Sequence, residues 1–404
     1  MKNKNILIKN LIQKKYINNT QSITLNKKFD KIFENILYNL TNIEKTINVL
    51  SNKFKLNFKE KDLKSFKRFD EIVIIGMGGS ALGSEAIYNF FESKIKKKIY
   101  FLNDINSDSI IKLKKKKFNK TLFLIISKSG NTIETLSNSL SLNLFKKKKK
   151  NIIVISEKKN NFLYDLSKKF NLFFIEHNKF IGGRYSVLSE VGIIPAILMG
   201  LNGVKLRKNV EKYINLKSKK SLKKVLIPIA NLLKKKKMNN LIFLNYSPKL
   251  EKFLFWCQQL IAESLGKKGY GFLPTISNAP KDHHSLLQLY LDGPNDKIFY
   301  IFSLDRDLDV KIKNINSLKN FHYLNKKTLE QIKQSQKKAI MQVFEKNKIP
   351  FREFCVKKIN EETLGEFFSF FIIETIILGK LIGVNPFSQP AVEQVKTLTK
   401  KILK

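Results

Sequence analysis

From Glu71 onward, short runs of β-branched and other apolar residues alternate with longer stretches whose apolar positions recur every three or four residues. The runs predict strands and the longer stretches predict amphipathic helices. In the first half the strands are expected at Glu71–Gly76, Lys97–Leu102, Thr121–Ser127, Asn151–Ile155 and Leu172–Ile175, with helices such as Leu82–Phe91 and Asn131–Phe145 between them. Asn131 stands at an expected helix start with Glu134 three residues on, the spacing of a capping box. This alternation predicts a parallel sheet covered by helices on both faces.

The pattern then repeats. A Lys- and Ser-rich stretch, Val204–Ser221, reads as a linker to a second alternating region. Strands are expected there at Leu241–Asn245, Gly271–Ile276, Ile298–Ser303 and Phe351–Val356. The expected helices are Lys249–Ser264, Leu324–Lys346, Glu361–Leu381 and a last one over Ala391–Leu403. Residues 1–65 are polar and helical in pattern, an arm lying over the domain behind it. The expected fold class is α/β, with domains over 66–203 and 222–385 and a C-terminal helical segment over 386–404. Ligands of such sheets sit beyond the carboxyl ends of the strands, so the strand-to-helix loops carry the functional question.

A chain of 404 residues is long for one core, and 43% hydrophobic residues can fill two. Disorder is excluded for most of it. The net charge of +43 invites a nucleic-acid or anionic-membrane reading. Yet only five of the 76 basic residues are arginine, the type that grips bases and phosphates bidentately. The lysines come in runs (Lys114–Lys117, Lys146–Lys150, Lys234–Lys237) beside abundant Asn, Ile and Phe, a chain-wide bias that reads as solvated surface. Cys257 and Cys355 make no disulfide framework, and four histidines give no metal-ligand spacing. The most apolar stretch, Phe367–Val384, is broken by Glu374 and Lys380 and reads as a buried helix, not a membrane span. The opening MKNKNILIKN lacks the apolar core of a secretory signal. A cytoplasmic protein with no membrane or nucleic-acid partner is expected.

Two loops can hold an anion. Gly76-Met77-Gly78-Gly79-Ser80 lets backbone N–H groups approach a phosphate at a helix start. Gly76, Gly78 and Ala81 also satisfy a dinucleotide spacing, with Asp104 placed to meet a ribose, so a nicotinamide enzyme competes on this loop alone. Ser127-Lys128-Ser129-Gly130-Asn131-Thr132 separates the two readings. Its three hydroxyls and free amides gather at one helix start, a cradle for a terminal phosphate that a dinucleotide fold does not need. Together the loops favour a sugar phosphate.

Here the residues carry a family resemblance. VIIGMGGSALG followed by ISKSGNTIET is similar to a first sugar-isomerase (SIS) domain. Gly182-Gly183-Arg184-Tyr185-Ser186-Val187-Leu188-Ser189 resembles a signature of the glucose-6-phosphate isomerases, and Gly383-Val384-Asn385-Pro386-Phe387-Ser388-Gln389 resembles a second region of that family. The blocks keep the family's order over residues 71–401. The resemblance implies two SIS domains, each a parallel five-stranded sheet flanked by helices. It further implies a homodimer whose active sites each borrow a residue from the partner subunit. The implied reaction interconverts glucose 6-phosphate and fructose 6-phosphate through a cis-enediolate, without cofactor or metal.

The same resemblance distributes the roles. Glu263, within Ala262-Glu263-Ser264, becomes the base that moves a proton between C1 and C2. Its place near the end of a largely apolar helix, at the negative pole of the dipole, disfavours the ionised form and strengthens the base. The family's ring-opening histidine falls on His284, entering from the partner, while His283 beside it reads as structural. Lys396, seven residues after Gln389, resembles the lysine that assists ring opening, although Pro390-Ala391 departs from the family pattern. Arg184 is assigned to the enediolate charge. Phosphate contacts fall to Ser127, Ser129, Thr132 and the backbone of Lys128. Gly79 and Ser80 line the sugar, and Gln389 bonds near the phosphate end.

Two other readings stay open. A bifunctional glucose/mannose-6-phosphate isomerase shares the fold and the enediol. A SIS-domain regulator would bind a sugar phosphate without turning it over, and need not keep Glu263, His284, Arg184 and Lys396 together as this chain does.

Overall fold

The computed structural model describes residues 5–12, 19–145, 150–305, 309–313 and 319–403. Its strands are β1 (Ile6–Leu11), β2 (Glu71–Ile75), β3 (Lys98–Leu102), β4 (Thr121–Ile126), β5 (Ile152–Ser156), β6 (Phe173–Glu176), β7 (Asn240–Asn245), β8 (Leu273–Asn278), β9 (Lys297–Leu304) and β10 (Phe351–Val356). The first sheet, ordered β3-β2-β4-β5-β6, is parallel throughout. The second, ordered β1-β10-β9-β7-β8, is parallel except at its edge, where β1 runs antiparallel to β10 with Ile6 opposite Val356. The α/β class with two five-stranded sheets flanked by helices therefore holds, and the strictly parallel second sheet does not.

The departure comes from the N-terminal arm. Ile6 and Ile8 are buried while Leu7 and Lys9 turn outward, a period-2 pattern too short to stand out from its lysine-rich surroundings. From Asn19 the arm is a helix, Asn19–Asn39, followed by two short 3-10 segments.

In the first sheet the period-2 geometry of the central strands feeds two cores. Ile72, Ile74, Leu122, Leu124, Ile126, Ile153 and Ile155 face a large core shared by both halves of the molecule. Val73, Ile75, Phe123, Ile125, Ile152 and Val154 face a smaller outer one. Helices Leu82–Phe91, Glu190–Leu198, Glu251–Leu265 and Glu361–Ile382 fill the shared core, where Phe253 stacks on Phe367 at 4.5 Å. The Glu361–Ile382 helix is the apolar stretch expected to be buried. Its Glu374 meets Arg352 of β10 at 2.8 Å with both side chains enclosed. Among the described residues no helix is long and apolar enough to cross a membrane.

Two local expectations fail. The linker over 204–221 is largely helical: Gly203–Arg207 and Leu216–Lys235 occupy it, the second opened by Asn215 and Ser218 in a reciprocal capping box. The helix expected from Asn131 starts at Ile133 with Thr132 as its N-cap, and ends at Ser141. The Asn131 carboxamide oxygen instead accepts from the Phe162 N–H at 2.9 Å, at the start of the neighbouring Phe162–Phe170 helix. Lys146 to Lys149 and Arg306 lie outside the described residues.

Candidate active site

The hydroxyl-rich loop leaves the carboxyl end of β4, the strand beside β2 at the middle of the first sheet. Ser127 Oγ and Thr132 Oγ1 lie 2.8 Å apart, and Ser129 Oγ is 3.5 Å from the same threonine. Because Thr132 spends its hydroxyl on Ser127, it makes no side-chain bond to the first-turn amides of the Ile133–Ser141 helix. Those amides keep their capacity for an anion. The Lys128 ammonium is committed elsewhere: it donates to the Lys179 carbonyl at 2.8 Å and pairs with Glu157 at 3.6 Å.

The glycine loop after β2 packs directly on the turn Gly183–Leu188. A Cβ built at Gly79 would lie 2.2 Å from the Gly183 carbonyl carbon and 2.6 Å from the Arg184 nitrogen, so only glycine permits this approach. Ser80 sits half-buried beside it. Gly78 adopts φ +51°, and a Cβ there would meet the Gln259 carboxamide at 2.7 Å.

Arg184 joins three distant segments. Its side chain is 3% exposed. Nε donates to Ser264 Oγ at 2.8 Å, Nη1 to Glu263 Oε2 at 3.2 Å and to Gln389 Oε1 at 2.6 Å, and Nη2 to the Pro386 carbonyl at 2.6 Å and the Ser388 carbonyl at 3.3 Å. Tyr185 reinforces the junction, its hydroxyl 2.8 Å from both Ser264 Oγ and the Pro386 carbonyl; burial pushes that phenol upward from its ordinary range. The planar fork of a guanidinium suits such a hub, which a lysine could not serve.

Around Glu263 two further groups appear that sequence reasoning missed. Gln259, one helical turn earlier, donates from Nε2 to Glu263 Oε1 at 2.9 Å. Its own amide oxygen is buried without a hydrogen-bond partner among the described residues, an acceptor left over inside the site. Lys267 reaches back to the carbonyl oxygens of Glu263 and Ser264 at 2.7 and 2.8 Å. Only the four-residue spacing to Glu263 on either side could have signalled them.

The structure thus brings Arg184, Glu263 and Gln389 together beside Gly79. It does not bring His284 or Lys396 to them. His284 is exposed at the end of the Lys281–His284 turn. The Lys396 ammonium pairs with Glu393 of its own exposed helix, Val392–Ile402, at 2.7 Å. His283 is the partly buried neighbour, its Nε2 2.8 Å from the Tyr246 hydroxyl, and burial together with His284 lowers its proton affinity. Among the described residues no group of three His, Cys, Asp or Glu is placed to hold a metal ion.

Comparison with known proteins bears on the family. The sequence model of the family described as phosphoglucose isomerase matches residues 29–272. A probable glucose-6-phosphate isomerase of Methanococcus maripaludis is 35% identical over 353 residues, covering 83% of this chain and 79% of that protein. The glucose-6-phosphate isomerase of Methanocaldococcus jannaschii is 31% identical over 365 residues, covering 84% and 86%. Among solved structures, a hypothetical protein of Thermus thermophilus superposes with a TM-score of 0.79 at 24% identity over 95% of each chain, a likeness of fold.

Proposed function

The chain belongs to the phosphoglucose isomerase family, and from that premise we propose that it interconverts glucose 6-phosphate and fructose 6-phosphate through a cis-enediolate, with Glu263 as the base. The observation that carries this reading is the Arg184 hub, which holds the Glu263 carboxylate and the Gln389 carboxamide in one enclosed junction against the glycine loop.

In this reading the phosphate is anchored by Ser127, Ser129, Thr132 and the amides at the start of the Ile133–Ser141 helix. Gly79 and Ser80 leave room for the sugar along the glycine loop. Glu263 takes the proton from C2 of the open-chain aldose and returns it to C1, while Arg184 stabilises the charge that develops on the enediolate oxygen. Gln259 accepts from a sugar hydroxyl with the amide oxygen that has no partner among the described residues. Ring opening falls to His284 of the partner subunit and to Lys396, which moves a proton from the anomeric hydroxyl to the ring oxygen with it.

That last assignment requires a homodimer. Its support is the Val392–Ile402 helix, which presents Val392, Val395, Leu398 and Ile402 along one exposed face, between 37% and 82% accessible. A second copy of the chain is the proposed cover.

The test is a linked assay converting fructose 6-phosphate to glucose 6-phosphate with EDTA present, beside Glu263→Gln. Turnover should survive chelation and fall about 10²–10⁴-fold in the variant. No turnover, with the sugar phosphate still bound by calorimetry, would favour a sugar-phosphate-binding regulator instead.

A further inference from the structure

We infer that Lys267 is a positioning residue for the proposed base, its ammonium clamping the end of the Glu251–Leu265 helix so that the Glu263 carboxylate stays aligned against Arg184. The inference rests on the reading of Glu263 as the base.

A helix end leaves its last carbonyl oxygens without intrahelical partners. Here Lys267 Nζ satisfies two of them, donating to Glu263 O at 2.7 Å and Ser264 O at 2.8 Å. The backbone arranges this return. Gly266 N–H closes the helix on the Ala262 carbonyl, and Lys267 and Tyr270 then exchange backbone bonds of 3.1 and 2.9 Å, folding the lysine back over the helix it has just left. Both residues that Lys267 holds by their carbonyl groups hold Arg184 by their side chains, at 3.2 Å from Glu263 and 2.8 Å from Ser264. Lysine, helix end and arginine therefore form one closed frame, and a shift in the helix end would move both arginine contacts at once.

Charge adds to the geometry. Lys267 faces Arg184 from the Gly183–Leu188 turn and Glu263 from the helix before it, while Lys236 lies 4.7 Å over the Tyr270 ring across the loop. Burial first, and the Arg184 cation second, push the Lys267 ammonium down to about 8. A cation is favoured at the negative pole of a helix, which adds to the two hydrogen bonds that hold the clamp in place.

The experiment compares Lys267→Met, Lys267→Arg and Glu263→Gln in the fructose 6-phosphate assay. In Lys267→Met, kcat should fall about tenfold with KM within about twofold. Lys267→Arg, which keeps charge and donors, should restore kcat. Wild-type kcat in Lys267→Met would overturn the inference. So would equal losses in both variants, the mark of a packing role alone. If Lys267→Met does not fold, Lys267→Gln, a donor without charge, takes its place. Wild-type turnover in Glu263→Gln would instead remove the base reading, whereas its collapse beside a normal Lys267→Met would remove only the role of the lysine.

Discussion

Arg184 spends every arm of its guanidinium on the junction between the Gly183–Leu188 turn, the Glu251–Leu265 helix and the Pro386–Gln389 segment. The turn that carries it lies so close to Gly79 that one methyl group cannot enter without moving backbone. Gly79→Ala should therefore displace Arg184 and lower kcat/KM by about a hundredfold, since misplacement of an ångström in a reacting group costs that much. Inhibition by inorganic phosphate should be nearly unchanged, because the hydroxyl loop is not touched. Steady-state kinetics on the variant decides it, and wild-type kcat/KM would mean the turn can yield. Arg184 was singled out in the sequence by the Gly182–Ser189 block that resembles the family signature, and the scarcity of arginine in this chain only made it more conspicuous. Gln259 and Lys267 were not, because each lies four residues from Glu263, a spacing shared by countless surface pairs in so polar a sequence. His284 and Lys396 were legible only as matches to a family pattern, and nothing in a single chain draws them to the Arg184 junction.

At the level of elements, the Ile133–Ser141 helix begins without a side-chain cap, and its threonine is tied to Ser127 instead. A phosphate would supply what the cap withholds. Thr132→Val should raise KM for fructose 6-phosphate by about tenfold while leaving kcat within about twofold, the signature of lost uniform binding. A fall in kcat with unchanged KM would count against the loop as a phosphate anchor. Apart from β1, the strands were legible, the central ones because runs of Ile, Val, Leu and Phe buried on two faces leave little ambiguity. Their neighbours were harder. Asn131 has the residue type and spacing of a cap, but its oxygen finds the Phe162 amide, which lies 31 positions away and is invisible to a local rule. The Lys and Ser content of 204–221 reads as a linker, yet Leu222, Val225, Leu226 and Ile229 just beyond it anchor a helix whose first turns are simply its wet end.

For the whole molecule, the open question is what covers the exposed stripe on the Val392–Ile402 helix. If a second copy does, Val395→Asp places a charge in a hydrophobic interface and should dissociate it. Sedimentation should then show the mass of one chain, and turnover should fall together with the dimer because each site loses a histidine. A monomeric wild type with full turnover would remove the partner from the mechanism. The assembly of the second sheet also has a timetable. Ile6 of β1 pairs with Val356 of β10, 350 positions further on. At synthesis rates of about 5–20 residues per second, the first strand made waits roughly twenty seconds to a minute for its partner to be translated. The first sheet can close during that interval, since all its strands are contiguous in the chain. The β1 segment, with Ile6 and Ile8 still wet, is made before the other strands of both sheets and is among the last of them to find its place.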